Sequence, residues 1–290
     1  MADHNMDQSS FQVFLIVESL LTFAQYGFFS DTEPNPVTLL AFFESITSFV
    51  ATATCANTGK SFQESETVAD GRIWFSIANL FEINQEMYNP LKYSNISDVK
   101  IRGGYVGKTS LNSIITTLTK SGESLMKTVS QVVSIDPSLK LPLVLPKAWR
   151  DKYINPGSPD HTPLRFKILT KPDNSQSFRV NVVHSDIDSN EHTNFGCYVR
   201  YGLDALYHNV SHGFINTLPN LGKMGMKRME LFYMGQSFEG DVLDVFVWPD
   251  SDDDLKVHVH VEKTGQLIFQ STFEYHDRLF RNTPMLSSNL

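Results

Sequence analysis

"HSDIDSNEHTNFGCY", His184 to Tyr198, decides how the chain is read. Within it Asp186, Asp188, Asn190, His192 and Asn194 fall on every second residue. In an extended backbone alternate side chains share a face, so these polar groups converge while Ile187, Glu191 and Thr193 take the other side. A plainer reading competes. Asp, Asn and Ser are ordinary loop residues, and "DSN" or "TN" before an apolar helix is good N-cap chemistry. The helix-like stretch beyond Asn194 favours a site. Phe195, Tyr198, Tyr201 and Ala205 recur at spacings of three and four, an apolar stripe expected to lie largely buried. The first amides of such a helix are unpaired donors with a positive partial charge. A carboxylate, a carboxamide and an imidazole beside that charge are what acyl transfer or hydrolysis requires.

Working outward, Pro137, Pro142, Pro146, Pro156, Pro159 and Pro163 mark a connector that divides the chain near residue 150. The two parts read as faint copies. "FQV" at Phe11 answers "FRV" at Phe178, and "TKSGESL" (Thr119–Leu125) answers "EKTGQLI" (Glu262–Ile268). "GYVGKTS" (Gly104–Ser110) likewise answers "FYMGQSF" (Phe232–Phe238). A helix-like stretch comes after the first strand of each part, "VTLLAFFESITSFVA" in one and "NFGCYVRYGLDALYHNV" in the other. The order strand, helix, then several antiparallel strands thus occurs twice, which predicts a sheet wrapped around one helix in each copy.

The whole chain sets bounds. Its 290 residues are 41% hydrophobic, with a net charge of −8 and pI near 5.6, so nothing favours capture of nucleic acid or an anionic membrane. Two cysteines, Cys55 and Cys197, argue against a disulfide framework and fit a reducing compartment. The run "FQVFLIVESLL" from Phe11 is too short to span a bilayer and reads as a buried strand. The expected location is cytoplasmic, with the carboxy-terminal "SNL" as a loose peroxisomal alternative.

The stretch "SDIDSNEHTNFGCYVRYGLDAL" resembles the signature of hotdog-fold thioesterases, above all the acyl-carrier-protein thioesterases of plants and bacteria. The wider resemblance is to the 4-hydroxybenzoyl-CoA thioesterase-like superfamily. The matching positions are Asp186, Asp188, Asn190, His192 and Asn194; Phe195 stands where the family places a second asparagine. The resemblance implies an α+β double hotdog, two antiparallel sheets each wrapped around a helix and packed as a pseudo-dimer. Its boundaries would be a tail at 1–10, a degenerate hotdog at 11–140 and a linker at 141–165. The hotdog carrying the site would occupy 166–282, with a tail at 283–290. The equivalent first-half segment, "VESLLTFAQYGFF", lacks the Asp, Asn and His.

By the same resemblance Asp188 is the principal carboxylate, as general base or nucleophile, and Asn190 and His192 position water and thioester. Asp186 is assigned to structure and Asn194 to a cap or a His192 partner. Thr193, Phe195 and Tyr198 are supporting or substrate-binding residues. Glu230, on the strand after the helix, is set where relatives carry an acid, but Met234 and Gly235 depart from their pattern. The implied reaction is hydrolysis of a fatty acyl-CoA or acyl-ACP, with no cofactor beyond the coenzyme A or phosphopantetheine of the substrate. Acyl carrier protein is the implied protein partner, and monomer or homodimer the assembly. Coenzyme A is favoured as thiol because no basic, serine-rich leader is visible. Two alternatives stand beside this: a hotdog hydratase or dehydratase, and a binding module without turnover.

Other signals carry less. "TCANTGKS" lacks the glycine a phosphate loop needs, since Thr54 takes its place. "SLMK" at Ser124 opens an alternating strand, not the helix a penicillin-recognising serine requires. His258 and His260 share a strand face, half of a zinc site at most, with surface positions as the competing reading. No metal site is expected. "DSDDD" from Asp250 reads as a hairpin loop and Cys197 as packing.

Overall fold

The structure, a computed structural model, describes residues 10–13, 29–30, 33–34, 66–69, 71–88, 96–188, 190–218, 221 and 224–279. The candidate first-half helix at 37–51, most of "VESLLTFAQYGFF", the "TCANTGKS" segment, Cys55 and the carboxy terminus lie outside these residues.

The alternating, β-branched segments form long strands: β1 (Ser10–Val13), β4 (Ile73–Ile83), β5 (Ile96–Val106), β6 (Ser110–Thr119) and β7 (Ser124–Ile135) before the connector. After it come β8 (Ser177–Asn181), β9 (Met224–Tyr233), β10 (Val242–Pro249), β11 (Lys256–Lys263) and β12 (Gln266–Leu279). Two short strands, β2 (Phe29–Ser30) and β3 (Glu33–Pro34), pair with each other. Among the described residues the α-helices are α1 (Glu66–Ala69), α2 (Lys147–Tyr153) and α3 (Phe195–Ser211).

All the long strands join one ten-stranded sheet in the order β1-β5-β6-β7-β4-β9-β12-β11-β10-β8. Numbered within its own half, each set of five runs first, third, fourth, fifth, second, so the topology is duplicated about the central β4–β9 pair. That pair is antiparallel, from Ala78 opposite Phe232 to Glu82 opposite Arg228. The "FQV"/"FRV" and "TKSGESL"/"EKTGQLI" matches fall on equivalent strands and turns. The "GYVGKTS"/"FYMGQSF" match does not: the first spans the β5–β6 turn and the second leaves β9, one strand out of step. Glycine-containing turns recur often enough to align by accident.

The helix α3 packs across β8, β10, β11 and β12. Its stripe is buried as expected at Tyr198, Val199, Tyr201, Ala205 and Leu206, while Asp204, Tyr207 and His208 keep one face exposed. Gly202 allows the close approach, since a Cβ there would lie 3.1 Å from a Val259 methyl. A single apolar cluster runs through both halves, taking Phe81, Ile101, Ile115 and Leu125 from the first and Leu206, Met229, Phe269 and Phe273 from the second. Apolar burial of this kind is the main stabilising term, roughly 1.5–3 kcal/mol for each large side chain.

The other sheet face is crossed by the connector. Pro146 stands at the N-cap position of α2, whose Trp149 packs with Val68, Val106 and Leu145. Beyond α2 the chain has no regular structure until β8, yet it is tied down. Gln131 of β7 accepts the Leu164 amide at 2.6 Å, and Gln270 of β12 accepts the Leu169 amide at 2.8 Å. Gln270 also donates to the Lys167 carbonyl at 2.9 Å. The segment is a strap over the sheet. Among the described residues no helix is long and apolar enough to cross a membrane.

Candidate active site

The peptide between β8 and α3 is not extended. A short 3-10 turn at His184–Asp186 leads into a tight loop closed by an Ile187–Thr193 bridge. Inside it the Asp188 amide donates to the His192 carbonyl at 2.9 Å and the Glu191 amide to the Asp188 carbonyl at 3.0 Å. Glu191 turns the chain with a φ of 64°, a left-handed conformation uncommon outside glycine. The five alternating residues therefore do not share one face. The expectation of a converging strand is corrected: loop hydrogen bonds, not β pleating, decide where these side chains go.

Asp188 and His192 still meet. Nδ1 of His192 lies 3.6 Å from Oδ1 of Asp188, just beyond hydrogen-bond length. The same Oδ1 accepts the Asn190 amide at 2.7 Å, which fixes the carboxylate on the turn. The His192 side chain is only 12% exposed, and its buried Nε2 has no hydrogen-bond partner. An orphaned buried ring nitrogen is costly, about 1–3 kcal/mol, unless a polar atom of water or ligand reaches it. The ring is walled by Phe75 of β4, 5.0 Å between centroids, so both halves contribute to this spot. Asn190 sits on the exposed rim of the turn and is not drawn into the Asp188–His192 contact.

Asp186 is the buried anchor. Its carboxylate accepts the Tyr201 hydroxyl at 2.6 Å and the Val183 amide at 3.1 Å, and it pairs with Arg200. Burial alone would push this carboxyl up, but the Tyr201, Val183 and Arg200 donors hold it below the usual carboxylate value. Burial and the adjacent carboxylate push the Tyr201 hydroxyl well above its ordinary value, so it stays a donor. The Asp186 carbonyl receives the Asn194 amide at 2.8 Å, tying loop to helix.

Asn194 is the N-cap of α3, its Oδ1 accepting the Gly196 amide at 2.8 Å. The Cys197 amide goes to the Asn194 carbonyl, and the Cys197 thiol lies 3.7 Å from the Asp186 carbonyl. Thr193 is buried, and its hydroxyl bonds Ser237 at 3.0 Å to the carbonyl and 2.7 Å to Oγ. Tyr198 completes this knot: its hydroxyl is 2.9 Å from Ser237 Oγ and receives the Ser237 amide at 2.9 Å. Burial raises the Tyr198 hydroxyl above its ordinary value. Phe195 meets Tyr233 edge-on at 6.0 Å. Phe75 and Ser237 carry no motif that singles them out in the sequence; only the fold brings them here.

Glu230 does not belong to this site. On β9, Met229 and Leu231 face the core beneath α3, so the alternate residues Arg228, Glu230 and Phe232 face the strap side. Phe232 indeed packs on Phe166 of the strap, and Glu230 pairs with Arg228 at 2.8 Å. Along that face the register lines up Lys256, Glu274, Arg228, Glu82 and Lys127, charges alternating in sign. A strand position one residue away would have reversed the outcome.

His258 and His260 are buried rather than superficial, each with a partner, and among the described residues no group of three or more His, Cys, Asp or Glu could hold a metal ion. "DSDDD" is the β10–β11 loop as expected, with the Asp252 amide on Asp250 Oδ1 at 2.9 Å.

No family model matches the sequence, and no curated protein does. Solved structures do match in shape. An acyl-ACP thioesterase from Bacteroides thetaiotaomicron VPI-5482 is 17% identical over 95% of this chain and 100% of its own, with a TM-score of 0.63. The 12:0-ACP thioesterase from Umbellularia californica is 14% identical over 95% of this chain and 99% of its own, also at 0.63. At this identity the likeness shows the fold: the chain is a hotdog-fold protein.

Proposed function

We propose that the chain is a double hotdog whose two halves pack as a pseudo-dimer, and that it hydrolyses an acyl thioester of coenzyme A or acyl carrier protein. The observation that carries this is the Asp188–His192 contact, 3.6 Å apart, closed by a phenylalanine from the opposite half and set beside the capped end of α3. The fold's likeness to two thioesterases supports the same class of chemistry.

In this reading Asp188 takes a proton from water, or attacks the thioester carbon itself, while His192 presents its buried Nε2 to the substrate. Asn194 accepts the amides of Gly196 and Cys197, and the positive end of α3 beside it polarises the thioester carbonyl. A placed general base contributes about 10²–10⁴-fold and a single oxyanion donor about 10²–10³-fold, so both are needed for useful turnover.

Purified protein is assayed for free-thiol release from saturated acyl-CoA and acyl-ACP of short, medium and long chain. Thiol release supports the reading; hydration of an enoyl thioester without thiol release would replace it with dehydratase chemistry.

A further inference from the structure

On the strap face, well away from Asp188, three side chains form a relay that the proposed hydrolysis does not use. His258 of β11 sits directly across from Thr272 of β12, and its Nδ1 lies 2.9 Å from Thr272 Oγ1. Its other nitrogen, Nε2, lies 2.8 Å from Oδ2 of Asp250. A carboxylate only accepts, so Nε2 carries the hydrogen and Nδ1 of the neutral ring is a lone pair. The Thr272 hydroxyl must then donate to Nδ1. The order carboxylate, imidazole, hydroxyl is the arrangement that activates an alcohol as a nucleophile.

Several features make this more than a buried polar knot. His258 and Thr272 both line a cavity of about 300 Å³ together with Lys167, Arg228, Lys256, Glu230 and Glu274, where Glu230 is paired with Arg228 and Glu274 with Lys227. The imidazole is itself buried at 7% exposure, whereas Thr272 reaches the cavity half-buried. Asp250 is held ionised below its usual range by the Asp252 amide and by His258. Lys167 comes from the strap, which Gln270 anchors beside Thr272, so the wall opposite the hydroxyl is fixed.

We propose that Thr272 is the nucleophile of a second site, with His258 as its base and Asp250 as the group that orients it. Its substrate is a small activated ester or thioester bearing a carboxylate that Lys167 and Lys256 receive. Thr272 Oγ bonds to the acyl carbon as its proton passes to Nδ1 of His258 and the carbonyl pair moves onto oxygen. Collapse restores the carbonyl and breaks the bond to the leaving alcohol or thiol, which takes the proton from Nδ1. Water then repeats the sequence on the threonyl ester and releases the acid. The Nε2 hydrogen stays with the ring throughout, its bond to Asp250 steadying the charged form.

The full chain is treated with a small fluorophosphonate, whose phosphorus bonds to the hydroxyl oxygen as fluoride leaves, and the adduct is located by peptide mass spectrometry. The expected result is an adduct on Thr272, absent in Thr272→Val and formed at least about 10²-fold more slowly in His258→Gln and Asp250→Asn. Asp188→Asn should label like the parent chain, and succinate should protect Thr272. Absence of a Thr272 adduct in the parent chain, or equal labelling of His258→Gln, overturns the site. Labelling that succinate does not slow overturns the carboxylate-bearing substrate.

Discussion

The ring of His192 rests 5.0 Å from that of Phe75, centroid to centroid, and the two belong to different halves of the duplicated fold. A catalytic imidazole held this way depends on both halves at once. Phe75→Ala removes its wall while leaving Asp188 and the loop intact. Thiol release should fall by about 10–10²-fold, the scale expected when a reacting group is misplaced by an ångström. Because Phe75 is only half-buried, the stability cost should stay below the ~3–5 kcal/mol of a core phenylalanine. Steady-state kinetics and a denaturant titration together check both.

Tyr201 anchors the loop through Asp186 rather than touching substrate. Tyr201→Phe deletes one hydrogen bond to a buried carboxylate and should cost about 1.5–3 kcal/mol in chemical denaturation. Turnover per folded molecule should drop less than in Phe75→Ala, since Arg200 and the Val183 amide still hold Asp186.

Asp186 also contributes to stability in acid. Its folded pKa is depressed, so protons bind the unfolded chain more readily than the folded one. The stability it contributes is fully present above the unfolded carboxyl value, near ~3.9, and is lost as pH falls through the lower folded value. Asp186→Asn should therefore flatten the acid side of a stability-versus-pH curve below about pH 4 and change little of its slope at neutral pH. Thermal melts from pH 7 downward test the slope.

Asn194→Ala removes the cap on the Gly196 amide. A lost N-cap costs about 1 kcal/mol, and here the freed first turn also borders the reacting carbonyl. Stability by denaturant titration should fall by that amount, with Asn194→Ser restoring most of it.

Much of this is legible in the sequence, and the failures have physical causes. The apolar stripe of α3 and the Asn194 cap follow from local patterns that the fold does not override. The duplicated strand order is visible in the matched first strands and one matched turn, because such local signals keep their chemistry when the rest of the sequence diverges. The converging strand from Asp186 to Asn194 does not form. Glu191 adopts a left-handed φ and Asp188 captures the Asn190 amide, and such loop closure leaves no period to read. Glu230 is misplaced by the sequence pattern because a strand residue can face either side, and the burial of Met229 and Leu231 decides which. The strap, the Phe75 wall and the Asp250–His258–Thr272 relay join residues from separate elements, so no short window of sequence displays them.

The central claim is that the Asp188 carboxylate does the chemistry beside His192. Asp188→Asn keeps the size of the side chain and an acceptor for the Asn190 amide while removing the charge, so the loop should hold its shape. Free-thiol release from acyl thioesters, measured alongside equilibrium binding of the same ligand, is the direct test. The prediction is a fall in kcat of at least about 10²-fold with binding unchanged. Undiminished turnover in the variant, or a parent chain that binds acyl thioesters of every length and releases no thiol, would contradict it.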